Sequence, residues 1–328
     1  MAIVRSTIIK GPAVVTYRGS TFYAKDDIKM SLAYETMPIE SSVHGKLDER
    51  TTARRVDISF DPLGELDGGD VLSGKLWPFG TFALGKSIFT PKNYDSSNDD
   101  ADFTLDIHTL AGVKITVQSA AITKMPSLML SATKTVMGGI TFTAIGKDNT
   151  DWSAADSLFT IDSAAGDPDL SQMVLANIRT VPYTATIASG PVGFASFRTI
   201  AGFTIDFDMS TRPIETDTDG TVDMVFESLA VNVRCQPLGM TEANLVSAMK
   251  IQGAGSKRGS SLQGNLGIDL VIQGAASGDP KITITKVGLK SSGLDFGAAS
   301  PRIGEVIFCA TRSFVSGVAQ ALYTVSHV

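Results

Sequence analysis

The chain has 328 residues, 43% of them hydrophobic and 19% charged, with a formal net charge of −6. That composition belongs to a folded protein long enough for two cores and excludes a disordered tail. The acidic balance argues against a nucleic-acid binder, whose affinity rests on a basic surface, and the apolar runs fall far short of the ~20 residues of a membrane-spanning helix.

Cys235 and Cys309 stand far apart in apolar surroundings, and His44, His108 and His327 lie near no cysteine and no carboxylate cluster. Neither a disulfide, a metal site nor any cofactor is expected. The N-terminal "MAIVRSTIIKGP" lacks the apolar stretch and small-residue cleavage site of a secretory signal, which predicts a chain that folds in a cytosol.

In chain order, the first firm pattern is "IKMSLAY" (28–34), apolar at alternate positions. It leads through Pro-Ile-Glu and a polar stretch with one glycine into "RRVDISF" (54–60), which predicts a long β-hairpin. "DGGDVLSGKLWPFG" (67–80) is a helix candidate broken at Pro78. "GTFALGKS" (80–87) then fits a phosphate-binding loop, with Gly80, Gly85, Lys86 and Ser87 in the required places. Such a loop must leave a strand and open into a helix, so that backbone N–H groups cradle phosphate. Here it follows a helix candidate and runs into Ile88, Phe89, Thr90 and Pro91, so nucleotide binding is not expected. Strand-like "KITVQSAAI" (114–122) and "GGITFTAIG" (138–146) complete this half, and 148–172 reads as a linker with at most a short helix around Ala154 to Leu158.

The chain then repeats itself. Residues 38–64 align without a gap on 213–239, a constant offset of 175, and Pro38, Ile39, Glu40, Gly45, Asp48, Val56, Pro62, Leu63 and Gly64 recur identically. "KITVQSAAI" meets "KITITKVGL" (281–289) at an offset of 167, and Leu128, Ala132, Gly138, Phe142 and Ala144 meet Leu294, Ala298, Gly304, Phe308 and Ala310 at 166. The second half carries a helix candidate, "TEANLVSAMKIQG" (241–253), with Thr241 as its cap and Gly253 as its stop. The expected fold is mainly β: two tandem β-sandwich domains, 1–165 and 166–328, each with a long β-hairpin and one α-helix.

"ETDTDG" (215–220) fails as a calcium loop, because its twelfth position is Phe226 where a bidentate glutamate is needed. No Ser/His/Asp or Cys/His constellation stands out, so an enzyme is not expected.

A duplicated β-domain of this kind reads as a building block. The segments "RSTIIKGPAVVTYRG", "MPIESSVHGKLDERTTARRVDISFDPLGE", "ITKMPSLMLSATKTVMGGITFTAIGKDNTDWSAADSL" and "RPIETDTDGTVDMV" resemble major tail tube proteins of long-tailed bacteriophages. The resemblance implies a structural virion protein, assembled in the host cytoplasm, that stacks as rings around a DNA channel. Inner strands would close into one barrel and an extended hairpin would reach the next ring. The duplication implies a trimeric ring with pseudo-sixfold symmetry. Partners implied are the chain itself, a tape measure protein, a tail terminator and tail-tip proteins, with DNA passing through without specific binding and no membrane involved. A distal-tail or baseplate ring component is an alternative, and a carbohydrate-binding adhesive module a more remote one.

Two sets of residues carry this expectation. On the alternating strands Ile28, Met30, Leu32, Phe203, Ile205 and Phe207 face the core, leaving Lys29, Ser31, Asp57, Ser59, Thr204, Asp206, Asp208, Asn232 and Arg234 on the opposite face to line the channel. Between Ser41 and Arg55 the first hairpin has Lys46, Arg50, Arg54 and Arg55 against Asp48 and Glu49, a net of +2. Between Thr216 and Ala230 the second has Asp217, Asp219, Asp223 and Glu227 without a basic residue, a net of −4. Opposite signs at equivalent places predict that hairpins from the two copies, or their docking surfaces, meet in the assembled tube and set its register.

Overall fold

The computed structural model describes residues 13–17, 20–24, 27–63, 87–89, 104–133, 135–145, 158–168, 182–187, 196–216, 220–238, 268–294, 303–310, 314–315, 318–319 and 321–328. The described residues are all-β, as the alternating patterns require. Both helix candidates, 67–80 and 241–253, lie outside them.

The first half contributes β1 (Ala13–Tyr17), β2 (Ser20–Ala24), β3 (Lys29–Ser41), β4 (Gly45–Phe60), β5 (Pro62–Leu63) and β6 (Leu105–Thr109). It continues with β7 (Lys114–Val117), β8 (Ala120–Lys124), β9 (Leu128–Leu130), β10 (Thr135–Met137), β11 (Ile140–Ala144) and β12 (Phe159–Asp162). The second half contributes β13 (Thr184–Ile187), β14 (Arg198–Thr216), β15 (Gly220–Leu238), β16 (Ile268–Gln273), β17 (Pro280–Leu294) and β18 (Ile303–Cys309). The short β19 (Phe314–Val315) and β20 (Val318–Ala319) pair with each other, and β21 (Tyr323–His327) is last.

In the first half two sheets pack face to face, β12-β7-β6-β1-β2-β5 against β3-β4-β11-β8. Tyr17 of one layer meets Phe142 of the other edge-on with ring centroids 4.7 Å apart, and its hydroxyl donates to the Ala120 carbonyl at 3.2 Å. Phe22 and Phe60 close the same gap with centroids 6.3 Å apart. Tyr17, Phe22, Phe60 and Phe142 are all buried, and each such side chain contributes about 1.5–3 kcal/mol by leaving water.

The second half repeats this pairing plan. Thirteen residue pairs join β3 to β4, from Lys29–Ser59 to Ser41–Gly45, and adding 175 to both members reproduces the pairs from Thr204–Arg234 to Thr216–Gly220 between β14 and β15. Both irregularities recur as well: the shift between Glu35 and Thr36 is matched between Ser210 and Thr211, and that between Ile39 and Glu40 between Ile214 and Glu215. Phe142–Ile58 across β11 and β4 becomes Phe308–Val233 across β18 and β15. Val15–Ile107 across β1 and β6 becomes Ala185–Ile272 across β13 and β16. A side-chain period of two leaves no room for a one-residue slip, which would exchange core and solvent faces.

Phe159–Asp162 falls inside the stretch read as a linker, and it is a strand: β12 pairs with β7, as β21 pairs with β17. Four residues are too few for the alternation to stand out among neighbouring Asp, Ser and Ala. Of the short helix expected around Ala154 to Leu158, only Leu158 is described, and it is a buried, non-helical residue beside β12.

One strand crosses between the halves. β9 leaves the first half and pairs with β14, placing Leu130, Met129 and Leu128 opposite Phe203, Thr204 and Ile205. Buried residues of both halves consequently belong to one continuous hydrophobic cluster.

Candidate functional site

The alternation on the two hairpins sorts residues as their chemistry demands. Val56, Ile58, Phe60, Phe203, Ile205, Phe207, Val231, Val233 and Cys235 are buried. Met30 and Ile28 are half-buried and pack against that core, but Leu32, expected to face it as well, is 47% exposed. The nine residues expected on the other face are none of them buried: Lys29, Ser31, Asp208 and Arg234 are exposed, and Asp57, Ser59, Thr204, Asp206 and Asn232 half-buried.

Much of the charge on this face is compensated locally. Arg234 grips Asp206 with Nε and Nη2, each 2.7 Å from Oδ2. Asn232 donates to Asp208 Oδ2 at 3.2 Å. Asp57 accepts from the Thr143 hydroxyl at 2.7 Å and pairs with Arg55 Nε at 3.1 Å. The result is a polar, hydrogen-bonded face on which much of the charge is paired within the chain.

The hairpin charges are engaged to different degrees. Lys46 pairs with Glu49, and the Glu49 amide donates to Asp48 Oδ1 at 2.8 Å. Arg50, opposite Met37, is exposed, and Arg54, opposite Tyr34, is half-buried. Arg55 lies near the hairpin base, where Asp57 and Glu35 face it, the latter at 4.0 Å. On the second hairpin Glu227 is paired with Arg212 Nε at 3.1 Å and accepts from Ser210 at 3.3 Å. Asp223 accepts from the Ser87 hydroxyl at 2.6 Å and from the Met224 amide at 2.7 Å. Asp217 and Asp219, at the turn, lie outside the described residues. Arg212 is the residue that counting charges along the returning strand missed, because it stands on the outgoing strand.

The contact made by Ser87 joins the halves a second time. Ser87 bridges to Val225, the Ile88 amide donates to the Met224 carbonyl at 2.8 Å, and Ile88, Ala121 and Phe226 form a small buried cluster. Ser87 ends the phosphate-loop pattern, and its hydroxyl is bound to Asp223 and to the Phe89 amide, at 3.1 Å. Gly80, Gly85 and Lys86 lie outside the described residues.

The two thiols sit on core strands. Burial pushes the Cys235 thiol up to about 12, with Glu305 adding to the effect, and burial likewise raises that of Cys309. Neither is a thiolate near neutral pH, so neither is poised as a nucleophile.

No protein-family model matches the chain, and no curated protein matches it.

Proposed function

We propose that this protein is a structural subunit that assembles with copies of itself into rings, three chains to a ring with pseudo-sixfold symmetry, stacked as the tube of a phage tail. The observation that carries this reading is the repeated pairing plan together with the joint between its two copies. A chain that contains two equivalent β-units, linked head to tail through β9 on β14, already holds one of the contacts from which a closed ring is made. Closure would pair the strand edges that a lone sheet leaves open to aggregation.

The long hairpins support the stacking part of the reading. Beyond Leu32 the first hairpin projects with exposed Tyr34, Met37, Ile39, Val43 and Leu47, apolar side chains that a lone soluble chain gains nothing by holding in water. The polar face, compensated within the chain, suits a channel through which DNA slides without binding. On this reading the tape measure, terminator and tip proteins are the partners, and the site of action is the virion tail. Negative-stain electron microscopy of the purified protein tests the proposal: stacked tubes are expected, isolated rings alone would favour a distal-tail or baseplate role, and dispersed monomers at all concentrations would contradict assembly.

A further inference from the structure

The two hairpins face the same hazard and meet it differently. β11 covers β4 at residues 56–60 and β18 covers β15 at 232–235, and each returning strand has a further stretch with an outer edge of its own. Edge N–H and C=O groups are a template for a foreign strand unless charge or another segment blocks them. On β4 this stretch includes Lys46-Leu47-Asp48-Glu49-Arg50-Thr51, four of whose six residues are charged, and 46–50 are exposed. At an offset of 175, β15 has Thr221-Val222-Asp223-Met224-Val225-Phe226, with one charge and no proline. Six residues of high β-propensity and low charge are the composition that stacks into cross-β aggregates.

That second edge is the one that residues 87–89 lie against. The Ile88 amide donates to the Met224 carbonyl at 2.8 Å and Ser87 bridges to Val225 in antiparallel sense, so the segment takes the place that an added strand would take. Its side chains complete the cover: Ile88 is fully buried with Phe226 and Ala121, and Phe89, Met209, Met224 and Leu229 pack around them. The one charge of the stretch is held as well, since Asp223 Oδ1 accepts from the Ser87 hydroxyl at 2.6 Å. On the first hairpin the counterparts of Met209, Met224, Phe226 and Leu229 are Tyr34, Glu49, Thr51 and Arg54, a mostly polar set that gives such a segment little to bury.

We propose that residues 87–89 are a built-in edge guard: a strap from the first half that occupies the outer edge of β15, fixes the second hairpin and keeps its apolar stretch from adding a strand of another chain. The first hairpin needs no strap, because charged residues at the same places keep its edge soluble. One half supplies the guard for the other, so the edge closes only when both halves have folded and docked. The device stands independently of the ring-forming reading, since it protects any chain that carries these hairpins.

Variants of the full chain test it, with hydrogen exchange and aggregation as readouts. Ile88→Pro removes both the amide that bonds Met224 and the side chain that fills the cluster. Exchange across 221–227 is expected to rise about tenfold while that across 231–235 stays as in the parent. The variant should also form disordered or fibrillar aggregate severalfold faster, by thioflavin fluorescence and negative-stain microscopy. Adding Val225→Arg, which gives β15 the charge that β4 has at Arg50, should return aggregation to the parental rate without restoring the exchange protection. The converse is read with the strap intact: Glu49→Met, Arg50→Val and Thr51→Phe together should make the chain aggregate severalfold faster, and this arm decides alone if Ile88→Pro does not fold. Unchanged exchange in Ile88→Pro would overturn the strap. Open exchange without faster aggregation, aggregation that Val225→Arg leaves as fast, or a triple variant as soluble as the parent would overturn the guard.

Discussion

Ser119 and Lys286 occupy the same place in the two halves, and both have a left-handed backbone, with φ of 48° and 45°. They are the non-glycine residues with positive φ among those described. Ser119 lies between β7, which pairs with β6 and β12 in one sheet, and β8, which pairs with β11 in the other. Lys286 sits in β17 at the irregularity of its pairing with β16, between Ile284 and Val287, two residues before pairing with β18 begins at Gly288. A strand that changes partners must turn sharply, and a left-handed residue supplies the turn, between two strands at Ser119 and within one strand at Lys286. At Lys286 the Asp269 carboxylate accepts the backbone amide at 3.0 Å and holds the bend.

A β-branched residue cannot adopt this conformation cheaply. Lys286→Val and Ser119→Val should each lower stability by about 1–2 kcal/mol, whereas the glycine variants should differ little from the parent. Denaturant unfolding measures both. A valine without cost at either position would mean that the bend is not held there.

Gly202 marks where the two halves touch. Its φ is +94°, and a Cβ there would lie 2.3 Å from the Leu130 carbonyl oxygen of β9. Gly202→Ala should cost about 2–5 kcal/mol, as overpacking adds to left-handed strain, and should loosen β9 from β14. Gly278→Ala, at φ +88° with nothing within 4 Å of the added carbon, should show the strain alone, about 1–2 kcal/mol. Hydrogen exchange at Leu128 to Leu130 separates the two: it should rise in the first variant and not in the second.

The hairpin register was legible in the chain because the repeat is ungapped there, and even the shifts at Glu35/Thr36 and Ser210/Thr211 follow the offset. The crossing of β9 was not legible. Three residues, Leu128 to Leu130, carry too little alternation to reveal a partner, and Leu128 lies 77 positions from its partner Ile205, a pairing set by burial and not by local preference. β12 was missed for a related reason, although a signal existed: Phe-Thr-Ile-Asp at 159–162 parallels Tyr-Thr-Val-Ser at 323–326. The division of the hairpin residues into a buried and an unburied face was readable from period two alone, except at Leu32, which was expected on the core face and is 47% exposed.

The hairpin charges should act through the groups not already paired within the chain. Arg55 and Glu227 have partners at hand, so their reversal should change little beyond the 0–1 kcal/mol or so of an exposed pair. Arg50→Glu should slow tube growth more than Arg55→Glu, Asp219→Lys should partly restore it, and raising salt should weaken the difference. Growth rates by light scattering decide this, and an Asp219→Lys variant that rescues nothing would remove the hairpin pairing.

If the polar face of the hairpins lines a channel, as proposed, it should tolerate neutral changes and resist basic ones. Asp57, Asp206 and Asp208 replaced together by Lys should still permit tubes but retard DNA release, since each cation near the phosphates adds affinity through counterion release. Release kinetics at two salt concentrations check this: the retardation should shrink as salt rises. Normal release at low salt would mean that these residues do not face the channel.

End-on cryo-electron microscopy of the assembled protein tests the central claim most directly. Three chains per ring are expected, seen as six lobes of alternating kind around an open channel, with the Pro38–Gly64 and Pro213–Gly239 hairpins along the axis. A purified chain that sediments as a monomer and shows no rings or tubes at any concentration would contradict the account.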